Sequence, residues 1–228
     1  MLPGVTLFSR LGYTLGRKRF NPMSASVKDK HMLVTGASSG LGYAAALELA
    51  RRGATLTLVM RDRKKAERTV ADIQRATGNS AIQYELADLG LMADVDALVA
   101  RMLKRGKPLD VLVNNAGALF NPRGETREGL EQSFALLLLS PYRLTEGLKP
   151  LLAKASSPRV INVVSGGMYS QKLDVDALQM PDTREYSGSV AYARQKRALM
   201  VLTQEWAANW EEAGITVNAM HPGWADTP

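Results

Sequence analysis

Tyr192 and Lys196 stand four positions apart in the segment YARQK. On a helix that spacing places both side chains on one face. A phenol ionises near ~10 and is a poor acid–base group at neutral pH. A neighbouring ammonium favours the phenolate and lowers that value. A tyrosine tuned in this way can protonate a carbonyl as hydride arrives, or deprotonate an alcohol in the reverse direction. Tyr and Lys at this spacing also occur on ordinary helices, so the pair carries meaning only if the rest of the chain supplies a place for it.

A second chemical feature is TGASSGLG, Thr35 to Gly42. It follows an apolar run and opens a helical pattern. Gly36 permits a tight turn, Gly40 lets backbone approach a phosphate, and Gly42 lets the helix pack near the strand. Free N–H groups and the helix dipole then favour an anion. The next apolar run ends in Val59-Met60-Arg61. Sites selective for NAD usually carry an acid there for the ribose hydroxyls. Arg61 instead suits bidentate binding of a 2′-phosphate, and Arg63, Lys64 and Lys65 follow it. Asp62 is one position late and reads as a helix cap. NADP is therefore favoured over NAD.

These residues need elements to hold them. HMLVTG, TLTLVM, AIQYELADL, DVLVNNAG, RVINVVSGG and ITVNAM read as strands. Between them lie helical patterns: LGYAAALELARRG, DRKKAERTVADIQRATG, Asp94–Arg105, roughly Glu125–Ala153, and Val190–Ala213. Short apolar strands alternating with helices predict an α/β fold, a doubly wound parallel sheet of Rossmann type with helices on both faces. Residues 168–189, rich in Asp, Pro, Gly and Ser, read as an irregular excursion.

The 228 residues suit one domain of ordinary size, with 46% hydrophobic and 22% charged residues. There are no cysteines and only two histidines, His31 and His221, which excludes a disulfide scaffold and a cysteine- or histidine-rich metal site. The absence of cysteine fits a reducing, cytoplasmic setting. The net charge of +7 is spread along helices and reads as solvated surface plus sites for anionic ligands, not as a nucleic-acid face. No apolar run approaches the ~20 residues of a membrane span. Residues 1–28 form a basic extension with no acid before Asp29. A mitochondrial presequence, a segment making peripheral membrane contact and a poorly ordered tail all share this composition. Residues 29–228 form the dinucleotide-binding unit, and self-association is left open.

TGASSGLG, the NNAG of Asn114–Gly117, Ser165 after a strand, YARQK and PGWADT at Pro222–Thr227 occur in the order of the short-chain dehydrogenase/reductase family, which the chain resembles from about Lys30 onward. VVSGGM, YARQK and HPGWADTP look most like its retinol-dehydrogenase-like branch, where strand-two ends similar to Met60-Arg61-Asp62 go with NADP. The resemblance implies an oxidoreductase acting on a carbonyl/alcohol pair of a small apolar, retinoid-, steroid- or lipid-like substrate. It implies Tyr192 as general acid–base, Lys196 as the group that lowers its pKa and holds the nicotinamide ribose, and Ser165 as hydrogen-bond partner of the substrate oxygen. Gly36, Ser38, Ser39, Gly40, Leu41 and Gly42 would hold the pyrophosphate end. Asp88 would reach the adenine, Asn115, Ala116 and Gly117 the adenosine side, and Pro222, Gly223 and Thr227 the nicotinamide. The excursion at 168–189 accounts for the long separation of Ser165 from Tyr192 and is a candidate roof for the substrate pocket.

Two departures accompany the resemblance. SFALLLLSPYR aligns with a family pattern that keeps an asparagine where Leu137 stands and a glycine where Ser140 stands. That asparagine is held to support a water linking the lysine to solvent, and leucine has no hydrogen-bonding group. A catalytically weak or inactive NADP-binding or interaction protein with the same fold is therefore the alternative function. The chain also stops after Thr227, short of the family's last helices and strand, so the sheet is expected to be truncated before its last strand.

Overall fold

The computed structural model describes residues 10–16, 26–180 and 186–223. Six short strands form one parallel sheet: β1 His31–Thr35, β2 Thr55–Met60, β3 Ile82–Leu86, β4 Val111–Asn114, β5 Arg159–Val163 and β6 Thr216–Met220. Their order is β3-β2-β1-β4-β5-β6. β1 lies at the centre, and Leu33 pairs with Thr57 on one side and Leu112 on the other. Every residue of β1 is buried, which explains why its sequence is apolar throughout and does not alternate.

The helices named here are α1 Arg10–Gly16, α2 Gly40–Arg51, α3 Arg63–Thr77, α4 Met92–Arg105, α5 Gln132–Phe134, α6 Ser140–Leu152 and α7 Gly188–Asn209. They divide the core into two layers. Met32, Val34, Leu56, Leu58 and Met60 face Ala46 and Ala50 of α2 and Ala66 and Ile73 of α3. Leu33, Val59 and Leu112 face the opposite layer, with Leu98 of α4, Leu148 of α6 and Leu199 of α7. The period of two along each strand thus serves both faces. Asp62 caps α3 as expected, its carboxylate accepting from Lys65 N at 2.8 Å, and Gly78 ends that helix in the left-handed region at φ 70°.

The helix expected over 125–153 is shorter and interrupted. Glu125 pairs with Glu131 in an isolated antiparallel bridge, and Gly129 between them has φ 77°. The helix begins only at Gln132, then widens into a π-helical turn over Ala135–Leu139 before α6. Pro141 accounts for the widening. It has no N–H for the carbonyl of Leu137, and its ring crowds that carbonyl. The excursion is also narrower than expected, because Gly166–Ser170 forms a 3₁₀ turn and α7 starts at Gly188. Residues 1–9 and 17–25 of the basic extension lie outside the described residues.

A buried polar chain crosses the lower layer. Asn114 Nδ2 donates to Thr145 Oγ1 of α6 at 2.9 Å and to Asn162 Oδ1 of β5 at 2.8 Å. Asn162 Nδ2 donates to Thr203 Oγ1 of α7 at 2.9 Å, and the Thr203 hydroxyl donates to the Leu199 carbonyl at 2.7 Å. Each of these side chains is buried, so partners replace water along the whole chain. Asn162→Leu removes the middle of it and is expected to cost about 1–3 kcal/mol. A lowered midpoint of urea unfolding with an unchanged m-value would show this.

Candidate active site

In an open parallel sheet, ligands bind beyond the carboxyl ends of the strands where the strand order reverses. Here that point is the fork between β1 and β4. A cavity of about 1170 Å³ opens there, and each of the six strands sends a residue into its wall just past its last residue: Gly36, Arg61, Asp88, Asn115, Val164 and His221. Every residue expected to bind or react that lies among the described residues lines this one cavity. Thr227 lies outside the described residues.

The fork is held by backbone packed on backbone. Gly36 has φ 67°, and a Cβ there would sit 2.8 Å from the Ala116 Cα. A Cβ on Gly42 would meet the Gly36 carbonyl oxygen at 2.2 Å and Asn115 Nδ2 at 2.5 Å. Thr35 Oγ1 accepts from the Asn115 and Ala116 amides at 2.9 and 3.0 Å. Asn115 Nδ2 donates to the Thr35 carbonyl at 2.9 Å. Asn115 was expected beside adenosine. It lines the cavity, yet its side-chain amide is spent on the glycine turn, so its visible work is to hold that turn. Ser39 precedes α2 in extended conformation and makes no side-chain capping bond. The first amides of α2 therefore remain for an anion. This cradle, which side chains on Gly36 or Gly42 would fill, suits a dinucleotide pyrophosphate.

At the end of β2, Arg61 is exposed and lines the cavity together with Asp62 and Lys65. The Asp62 carboxylate is engaged in its cap, which leaves two cations facing this end of the cleft. Asp88 Oδ1 accepts from Gly90 N at 2.9 Å, which shapes the next stretch of wall.

At the other end α7 presents Tyr192 and Lys196 beside Ser165, which follows β5. Lys196 is almost wholly buried, and Nζ donates to the Val163 carbonyl at 2.7 Å. The same ammonium lies 5.7 Å from the centre of the Tyr192 ring. Burial lowers the lysine pKa to about 8. Burial also raises the Tyr192 pKa, with a hydrogen bond from the Ser165 side pulling the other way. The sequence led us to expect a phenol lowered by the ammonium. In the fold, desolvation of the phenol outweighs the Ser165 hydrogen bond, and Lys196 Nζ is turned to a backbone carbonyl.

Leu137 is fully buried, and its Cδ2 would lie 3.3 Å from a Cβ on Gly117, a point 3.9 Å from Lys196 Nζ. Leucine thus fills the layer beside the lysine, and its neighbour Leu136 reaches the cavity. Leu119, Phe120 and Gln132 line the cleft without belonging to any motif, and His221, which opens HPGWADTP, lines it as well. His221 packs against the turn after Ser165, where a Cβ on Gly166 would fall 2.6 Å from Nε2. The expected roof is absent from the described part of the excursion. Residues 168–180 do not line the cavity, and Leu178 and Met180 are held through their carbonyls by Gln195 Nε2 at 2.6 Å and Arg123 Nε at 3.1 Å. Among the described residues there is no cluster of His, Asp and Glu that could hold a metal ion, and no helix long and apolar enough to cross a membrane.

Comparison with known proteins agrees with this geometry. A family model described as short chain dehydrogenase matches residues 30–175. Dehydrogenase/reductase SDR family member 12 of Bos taurus is 42% identical over 227 residues, covering 99% of this chain and 70% of the relative. Human retinol dehydrogenase 13 is 34% identical over 206 residues, 90% of this chain and 62% of the relative. Among solved structures, a short-chain dehydrogenase from Sphingobium yanoikuyae in complex with NADPH superposes with a TM-score of 0.71 at 28% identity, over 87% of this chain and 72% of that one. A parallel sheet forked over a glycine cradle, with these matches along most of its length, places the chain in the short-chain dehydrogenase/reductase family of oxidoreductases.

Proposed function

We propose that the chain is an NADP-dependent oxidoreductase that moves hydride between nicotinamide and the carbonyl or alcohol of a small apolar substrate. The observation that carries this reading is the meeting of Ser165, Tyr192 and Lys196 with the glycine cradle and Arg61 in one cavity. In this reading residues 29–228 are the dinucleotide-binding unit and residues 1–28 an extension. The bound cofactor supplies the hydride chemistry. The α2 amides and the turn from Gly36 to Gly42 hold the pyrophosphate, and Arg61 with Lys65 holds the 2′-phosphate. Asp88 borders the adenine, while Pro222 and Gly223 border the nicotinamide.

Ser165 donates to the substrate oxygen and steadies charge developing on it. Tyr192 gives its phenolic proton to that oxygen in reduction and takes it back in oxidation. Lys196 fixes the tyrosine face of α7 through Val163 and holds the ribose. Leu119, Phe120 and Leu136 give the substrate end an apolar wall. The NADPH complex of the similar Sphingobium enzyme supports the cofactor, and the retinol dehydrogenase among the relatives supports an apolar alcohol or aldehyde. A second reading, a catalytically weak or inactive NADP-binding protein, is favoured by Leu137 alone, which puts a hydrocarbon beside the buried lysine.

Tyr192→Phe separates the two readings. It should lower turnover of an aldehyde panel with NADPH by about 10²-fold or more while NADPH still quenches tryptophan fluorescence. A wild type that binds NADPH and turns over none of the panel would favour the second reading. Arg61→Glu should weaken NADPH binding at least ~10-fold, from loss of a charge-assisted phosphate contact, and leave NADH binding nearly unchanged. Equal losses for both would defeat the NADP assignment. Burial of charged Lys196 costs stability fully below its pKa of about 8, and the cost is relieved as pH rises from there towards the ordinary lysine value. Lys196→Met should therefore melt higher than wild type at pH 7 with turnover abolished, and the difference should shrink as pH is raised to ~10.

A further inference from the structure

Glu131 is a fully buried acid with no part in the chemistry above. Its carboxylate accepts from the Ser133 amide at 2.9 Å and the Phe134 amide at 2.7 Å, capping the short helix that runs into the π-helical turn. It accepts a third bond, from the phenol of Tyr186 at 3.0 Å. The Tyr186 oxygen also lies 3.2 Å from the Phe120 carbonyl and 3.4 Å from Ser133 Oγ. One phenolic proton cannot serve two acceptors. The carboxylate is the stronger, and the Ser133 hydroxyl can donate to the phenol oxygen.

Gly188 closes the same junction. A Cβ there would meet the Phe120 carbonyl oxygen at 2.2 Å, so only glycine lets the start of α7 come this near. Three segments distant in sequence therefore meet at Tyr186: the cavity wall at Leu119–Phe120, the approach to Leu136 and Leu137, and the first residues of α7. Tyr192 stands on the second turn of that helix.

We propose that Glu131 and Tyr186 are positioning residues, whose mutual hydrogen bond sets the distance between the Phe120 wall and Tyr192 and so the space in which the substrate carbonyl meets the phenol. The contact is suited to this work because a hydrogen bond to a charged acceptor, here a fully buried carboxylate, is stronger than one between neutral groups. The inference rests on the oxidoreductase reading, and its test has one arm that does not.

In Tyr186→Phe the ring stays and only the hydroxyl is lost. With decanal and NADPH, kcat/KM for the aldehyde should fall about 10- to 100-fold, the scale of a small misplacement of reacting groups. The Kd for NADPH, read by fluorescence, should stay within about twofold, because the glycine cradle and Arg61 are untouched. Amide hydrogen exchange should quicken in residues 118–122 and 188–193 and stay unchanged in β1 and α2. Gly188→Ala, which displaces the same wall without removing the hydrogen bond, should give the same pattern. Unchanged local exchange in folded Tyr186→Phe would overturn the proposal. So would unchanged kcat/KM, or a loss of NADPH affinity as large as the loss of kcat/KM. If the wild type reduces no carbonyl, the functional reading falls, and the exchange arm alone decides whether the junction sets this spacing.

Discussion

Everything in the cleft depends on the close approach of two stretches of backbone where β1 and β4 part. Gly36 and Gly42 can lie against each other and against Ala116 only because neither has a side chain. Thr35 and Asn115 then lock the approach with hydrogen bonds that leave little polar capacity unspent. From this junction the amides of α2 are aimed at one end of the cavity and the NNAG turn at its floor. A single methyl group in the wrong place would push the floor from the cradle. The glycines are thus requirements of packing before they are requirements of ligand binding.

The second constraint is the placement of α7. That helix must carry Tyr192 and Lys196 to the end of β5, and it is held from below by the buried polar chain through Asn162 and Thr203. At its start it is held by Gly188 and Tyr186, and along its length by Leu199 and Trp206 in the lower core. Trp206 also donates to Glu146 of α6 at 2.6 Å and stacks on Tyr142, which fastens the two helices to each other. Rigid elements with satisfied polar groups can hold a reactive side chain more closely than a loop can.

The cost of that placement falls on Lys196. A nearly buried ammonium with one carbonyl partner among the described residues opposes folding, and the lowered pKa expresses the same penalty. A chain selected for stability alone would not keep a charge there. Its retention is intelligible if the ammonium works on something that enters the cavity.

Much of this could be read from the residues themselves. The strands and most helices follow from apolar runs and their periods, because burial on both faces demands continuous apolar strands and amphipathic helices. The Asp62 cap was legible for the same local reason. The membership of the glycine loop, Ser165, Tyr192 and Lys196 in a common set was legible only through the order of their motifs, which resembles that of the short-chain dehydrogenase/reductase family. What sequence could not supply was anything set by contact between distant segments. Tyr186 meets the Glu131 carboxylate, and Gly188 meets the Phe120 carbonyl, only because the fold brings those segments together. The Asn115 amide turns to the glycine loop because the fork brings that loop within reach. The phenol of Tyr192 is raised and not lowered because burial is a property of the packed fold. Local pattern determined which elements form and which residues share a face. Only tertiary packing decided distances, desolvation and the uses of buried polar groups, because those energies depend on what lies across a gap and not on what lies next along the chain.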